Sequence, residues 1–186
     1  MNGKKYRTIL ADPPRRYRNV KTGGSMRSGS AAKYPTMSLD ELKRLPVHKI
    51  AARDSILFLW ATTPLLDETF EIMKKWGYSY KTTLYWYKIK SWGLGFWFRG
   101  EVEPCLLGIR GKIKAFRCQK SNFFQSKARK HSQKPEEFYQ LIEPVCLEPK
   151  IELFAREKRK GWDALGFEID GKDLKLSLEQ LEIKND

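Results

Sequence analysis

Short apolar runs of strand length alternate along the chain with stretches whose apolar residues recur at helical spacing. Turn residues separate the two kinds. Tyr6–Ala11 (YRTILA) predicts a strand that Asp12-Pro13-Pro14 stops abruptly. Ser38 with Glu41 three residues on is a capping box, predicting a helix that ends near Pro46. Residues 55–60 (SILFLW) form a continuous apolar run, as in a strand buried on both faces. Leu66, Phe70, Met73 and Trp76 recur at helical spacing, and Gly77 closes that helix. Residues 81–90 and 105–109 read as strands, and residues 135–142 as a helix with proline in its first turn. Residues 150–155 (KIELFA) are the clearest late strand. Residues 20–32, rich in Gly and Ser, predict a mobile loop, as does the Gly/Trp/Phe mixture at 91–100. Residues 174–186 alternate apolar and charged positions and suit either a strand or a short helix. This alternation predicts one α/β domain over residues 1–186, three-layered around a mostly parallel sheet. In such sheets the ligand sits beyond the carboxyl ends of the strands. The two most unusual strand ends are Asp12-Pro13-Pro14 and the stretch after Phe154.

Charge changes the picture. The 186 residues carry 36 Lys+Arg against 22 Asp+Glu, a formal +14, with 13% aromatic residues. A disordered basic tail lacks that aromatic content, and a polyanionic partner, nucleic acid first, is what such a domain suits. The surplus is localised. Residues 15–39 hold six cations and no acid, residues 104–135 nine cations and no acid, and the rest of the chain is near neutral. A single run of this kind usually marks a solvated face; two runs holding the whole excess point to a binding surface. No apolar run approaches a membrane span and the start lacks a signal-peptide pattern. Cys105, Cys118 and Cys146 are odd in number and far apart, without disulfide or metal spacing, so a cytoplasmic setting is expected. His48 and His131 have no metal-ligand partners at a recognisable spacing, so no metal is expected.

An Asp followed by two prolines at a buried strand end presents a carboxylate and a rigid carbonyl, and neither proline offers an N–H. Such an acceptor-only pair suits an exocyclic NH2 group. It takes both hydrogens, helps rehybridise a nitrogen whose lone pair is delocalised, and favours the positive charge that builds on transfer. The same three residues also serve as a plain turn.

Eight stretches occur in a telling order: Ala11-Asp12-Pro13-Pro14, Tyr34-Pro35-Thr36-Met37-Ser38, Leu57-Phe58-Leu59-Trp60, Trp86-Tyr87-Lys88, Glu103-Pro104-Cys105-Leu106-Leu107-Gly108, His131-Ser132-Gln133-Lys134-Pro135-Glu136, Lys150-Ile151-Glu152-Leu153-Phe154-Ala155-Arg156 and Gly161-Trp162. From Ala11 to Gly171 the chain resembles the N(6)-adenine methyltransferases of the MT-A-seventy type. That family includes the catalytic subunit of the messenger-RNA adenosine methyltransferase complex, and bacterial and phage members that act on DNA. The resemblance implies a Rossmann-like S-adenosylmethionine-dependent methyltransferase fold of permuted order, catalytic motif first and cofactor strand late. It implies that Asp12 and Pro13, with Pro14 and Arg15 completing the motif, accept hydrogen bonds from the target amine. Tyr34 and Glu103 would line the target-base pocket. Lys134, His131, Phe154, Arg156 and Glu168 would hold S-adenosylmethionine, Lys134 pairing its carboxylate. Arg16, Lys21 and Lys33 would meet phosphates at the cleft mouth. DNA is expected ahead of RNA because no additional RNA-binding module accompanies the domain. In the family's heterodimeric members the loop corresponding to 91–103 contacts a partner subunit, so it is a candidate homo- or heterodimer contact here; its Trp92, Phe96, Trp97 and Phe98 equally suit base stacking.

Two positions depart from the family pattern. Arg15 stands where the family has Trp or another aromatic, which stacks on the base once it is flipped from its strand. An arginine plane also stacks on bases. Its charge, however, would lie near a sulfonium and near an amine gaining positive charge, which opposes the reaction in a water-excluded pocket. Severely lowered activity is therefore expected, and a catalytically silent nucleic-acid-binding subunit is the rival to an active enzyme. Phe167 stands where relatives often place Asn near the cofactor ribose.

Overall fold

A computed structural model describes residues 4–15, 36–91, 97–128 and 133–183. The loop predicted at 20–32 and residues 92–96 of the second predicted loop lie outside these. Seven strands form one sheet: β1 (Tyr6–Ala11), β2 (Ala51–Trp60), β3 (Ser79–Ile89), β4 (Val102–Arg110), β5 (Phe123–Lys127), β6 (Lys150–Leu153) and β7 (Asp163–Leu165). Their order is β5-β3-β4-β2-β1-β6-β7. β1 pairs in parallel with β2 and β6, β6 with β7, and β3 with β5, whereas β4 runs antiparallel to both β2 and β3. Six strands thus point one way and β4 the other. The helices are α1 (Leu39–Arg44), α2 (Val47–Ile50), α3 (Leu66–Lys75), α4 (Glu136–Ile142), α5 (Phe167–Asp170) and α6 (Leu174–Ile183). Among the described residues no helix is long and apolar enough to cross a membrane.

Strand alternation sorts the core into two faces. Ile9, Ala11, Leu57, Leu59, Leu106, Ile151 and Leu153 pack with residues of α1, α2, α3 and α6. Leu10, Ile56, Phe58, Trp60, Leu84, Trp86 and Leu107 pack with Phe138, Tyr139 and Ile142 of α4. Helices therefore cover both faces, and the three-layer α/β sheet expected from the sequence is found. Ile9, Ile56, Leu57 and Leu59 are wholly buried. Each such side chain contributes about 1.5–3 kcal/mol by leaving water.

The capping box at Ser38 is present: its Oγ accepts from the Glu41 amide and Glu41 Oε2 accepts from the Ser38 amide. Gly77 adopts φ 86 after α3, as a left-handed helix stop requires. Pro135 takes the N-cap position, one residue ahead of its expected place. The inward face of α3 is Thr69, Ile72, Met73 and, just beyond the helix, Trp76. Phe70 of the predicted stripe faces outward instead, about 100° from Thr69, and meets the exposed Tyr80 ring edge-on. Residues 174–183 are helical and bury Leu174 and Leu178.

β7 leads into α5 through Gly166, which packs against the turn after β6. A Cβ there would lie 2.2 Å from the Ala155 carbonyl oxygen and 2.7 Å from its nitrogen. Both obstacles are backbone, so no rotamer relieves them. Gly166→Ala is expected to cost about 2–3 kcal/mol, read as a lowered urea midpoint at unchanged slope.

Candidate active site

Because β4 runs against its neighbours, its amino end shares a sheet edge with the carboxyl ends of the others. Trp60 pairs with Cys105 and Trp86 with Glu103, so Glu103 reaches the edge where β2 and β3 finish. At the same edge β1 and β6 lie side by side, with Ala11 paired to Leu153. The residues that follow them, Asp12 and Phe154, are therefore neighbours. Phe154 adopts φ 62, a left-handed conformation uncommon for a bulky side chain, directly at the strand end. Pro13 is buried, and the Pro14 carbonyl accepts from the Met37 amide at 2.8 Å. The turn out of β1 is thus pinned by the segment that leads into α1.

Lys134, just before α4, brings these ends together. Its Nζ lies 2.9 Å from Asp12 Oδ2, 3.3 Å from Glu103 Oε2 and 4.7 Å from the Trp60 ring centroid. Lys88 pairs with the other oxygen of Glu103 and sits over the Trp86 ring. Burial alone would raise the Glu103 carboxyl, but the ammonium groups of Lys134 and Lys88 outweigh it and hold its pKa below the ordinary value. Burial likewise opposes the Lys134 charge, and Asp12 and Glu103 reverse that, raising its pKa. Glu103 and Lys134 are therefore both held in their charged forms at neutral pH.

A second group forms the wall beneath Asp12. Glu152 of β6 accepts from the Tyr139 hydroxyl at 3.0 and 3.2 Å. The Arg159 guanidinium lies 3.6 Å over the Tyr139 ring and donates to both Glu136 oxygens at 2.8 and 3.0 Å. Asp12, Lys134, Tyr139, Glu152, Phe154 and Arg156 line one cleft, whose described walls enclose about 20 Å³. That is room for about one water.

Burial pushes the Glu152 carboxyl up to about 7, against the Tyr139 hydrogen bond, which lowers it; the Asp12 charge raises it further. The native state thus holds a proton that the unfolded chain releases at pH 4.5. The stability Glu152 contributes is full below that value and is lost as pH rises through about 7. Native stability is expected to fall over this window, and Glu152→Gln to remove most of that slope. The variant should gain about 2–3 kcal/mol at pH 8, measured by urea unfolding at a series of pH values.

Among the residues singled out from the sequence, the structure gathers Asp12, Pro13, Glu103, Lys134, Phe154 and Arg156 at this edge. Arg156 Nη1 stands 3.5 Å from Glu168 Oε1, which places Glu168 beside it. Phe167 is more than half exposed at the start of α5. Arg15 is buried, and its Nη1 donates to the Leu65 carbonyl at 2.9 Å. Arg16, Lys21, Lys33, Tyr34 and His131 lie outside the described residues. Sequence reasoning assigned no role to Glu152, Tyr139, Lys88 or Arg159. The one available signal was Glu152, an acid in the middle of the apolar run KIELFA. Among the described residues no group of three His, Cys, Asp or Glu could hold a metal ion, and all three cysteines are free.

The sequence is similar to those of known proteins. The MT-A70 family model matches residues 6–168. The type II methyltransferase M.MunI of Mycoplasma sp is 32% identical over 198 residues, covering 93% of this chain and 82% of that protein. A putative N(6)-adenosine-methyltransferase MT-A70-like protein of Medicago truncatula is 30% identical over 90% of this chain and 27% of its own length. The N(6)-adenosine-methyltransferase catalytic subunit METTL3 of Homo sapiens is 29% identical over 90% of this chain and 29% of its own length. The chain thus spans most of the first and under a third of the other two.

Proposed function

The chain belongs to the MT-A70 family, and on that premise we propose that it transfers a methyl group from S-adenosylmethionine to the exocyclic amine of adenine in nucleic acid. The observation that carries this is the convergence of Asp12, Glu103 and Lys134 at one sheet edge, within 3.3 Å of a shared ammonium. DNA is placed ahead of RNA, the near-full-length correspondence being to a type II methyltransferase.

The donor set suits the cofactor. Lys134 offers a cation to its carboxylate, Asp12 offers negative charge to its ammonium, Glu152 offers a hydrogen-bonding carboxyl beside it, and Arg156 with Glu168 offers hydrogen-bonding groups to its ribose. When bound, S-adenosylmethionine would supply an electrophilic methyl group and leave as the neutral thioether, the methylated amine losing one proton to solvent. The chain's own residues do the rest. The Asp12 carboxylate and the Pro13 carbonyl accept the hydrogens of the target amine and turn its lone pair outward. Glu103 and Tyr34 border the base, and Arg16, Lys21 and Lys33 meet its phosphates. An incoming carboxylate would compete with Asp12 for the Lys134 ammonium and so free an Asp12 oxygen for the base. Phe154 and Arg156 lie where the adenosine half would rest.

A silent subunit that keeps the fold is the second reading, favoured by the buried cation Arg15 three residues after Asp12. The Trp97 and Phe98 side chains, more than 90% exposed, would then serve a partner subunit. Two measurements separate the readings. Calorimetry with S-adenosylmethionine is expected to show binding that Asp12→Ala weakens. Labelled-methyl transfer to single- and double-stranded DNA and RNA is expected to give low but measurable N(6)-methyladenine. Binding without any transfer, from this chain or from one whose Arg15 is replaced by an aromatic, would favour the silent subunit.

A further inference from the structure

A cavity of about 280 Å³ opens on the α4 side of the sheet and shares no lining residue with the Asp12 cleft. Its floor is apolar: Phe58, Leu84, Leu107 and Ile142 are all less than 9% exposed. Its rim is the segment between β4 and β5, from which Arg117, Lys120, Ser121 and Asn122 contribute, and among the described residues no acid lines it. The rim is anchored: Asn122 Nδ2 donates to the Thr83 carbonyl at 2.9 Å, and the Asn122 carbonyl accepts from Tyr85 at 2.7 Å. Arg117 adopts φ 50, a left-handed conformation at the mouth. Phe138 packs against Phe58, which lines the cavity, and against Trp60, whose ring faces Lys134 at the cleft. Those two β2 residues are one pleat repeat apart, about 7 Å.

An apolar slot with hydroxyl and amide groups at its lip and two cations outside matches a flat ring that has polar edges and an attached anion. The rim cations also belong to the acid-free basic run that continues to Lys134 at the cleft. We propose that this cavity is a second nucleobase site, holding an unpaired base that neighbours the target while Arg117 and Lys120 take its phosphates. This rests on the chain's acting on nucleic acid, and adds to it a contact that selects single-stranded or locally opened substrate.

Cys118 lines the cavity and is exposed, whereas Cys105 is buried and burial pushes the Cys146 thiol up to about 12. An alkylating reagent near pH 8 therefore reads Cys118 first. With the full chain, a saturating single-stranded adenine-containing oligonucleotide is expected to slow Cys118 alkylation about tenfold or more. An abasic oligonucleotide of the same length, also at saturation by fluorescence anisotropy, is expected to slow it less than about threefold. Replacing Arg117 and Lys120 together by Ala is expected to lower the salt dependence of binding by about two phosphate contacts. Equal protection by the abasic strand, binding without protection, protection by oleate in place of the oligonucleotide, or an unchanged salt slope would each overturn the second site and leave the methyltransferase reading standing. No binding of any oligonucleotide would instead overturn both.

Discussion

Arg15→Trp is expected to raise the rate of methyl transfer to adenine by about 100-fold or more over the native chain. The Arg15 side chain is buried three residues beyond Asp12, with Nη1 on the Leu65 carbonyl. A fixed cation there is screened weakly, and the reaction accumulates positive charge on the attacking nitrogen. A hundredfold corresponds to about 2.7 kcal/mol, the size usually found for one well-placed electrostatic group in an active site. Tryptophan removes the charge and supplies a ring for the extruded base. The exchange leaves no carbonyl orphaned, because Leu65 still accepts from the Thr69 hydroxyl at 2.7 Å. Arg15→Lys separates the two contributions: it keeps the charge without a planar group, and its rate is expected to stay as low as that of the native chain. Single-turnover rates of labelled-methyl transfer read the difference.

Lys134→Met is expected to act on stability and on cofactor affinity together. Asp12 and Glu103 both lean on this ammonium, and its removal leaves two largely buried carboxylates, of which Glu103 keeps its pair with Lys88. Breaking such a cluster from one side costs about 3 kcal/mol. The sign with pH follows from Glu103, whose depressed pKa contributes stability above its unfolded value of 4.5 and loses it as pH falls. The deficit of the variant should therefore be largest above about pH 5 and shrink in acid. Affinity for S-adenosylmethionine is expected to drop about 100-fold. Urea unfolding at two pH values and calorimetry at pH 8 give both numbers. Unchanged stability with weakened cofactor binding would mean that the Asp12–Lys134–Glu103 cluster does not hold in solution.

Local features were legible from the sequence. The Asp-Pro-Pro stop and the Ser38 capping box each depend on a few adjacent residues and are found where expected, and the late strand expected over 150–155 runs from Lys150 to Leu153. What escaped depends on distant parts of the chain. Glu103, named only through the family resemblance, reaches Lys134 because β4 runs backwards, a fact that no window of residues around it contains. Tyr139 and Glu152 gain their chemistry from each other across the gap between α4 and β6. The strand β5 buries only Ser126 among its five residues, so it carries no apolar alternation to read. Phe70 misled the helix stripe because an exposed partner ring, Tyr80, holds it on the outer face. Placing Arg15 required the structure too, since its buried Leu65 contact lies fifty residues away.

Methyl transfer by the Arg15→Trp chain, with and without Asp12→Ala added, bears most directly on whether this strand end methylates adenine. Both proteins would be given labelled S-adenosylmethionine and a single-stranded adenine-containing oligonucleotide, and the product digested to nucleosides. The expected result is labelled N(6)-methyladenine from Arg15→Trp, reduced at least about 100-fold when Asp12 is also replaced. Equal N(6)-methyladenine from the two proteins, or none from Arg15→Trp when calorimetry shows the cofactor bound, would contradict it.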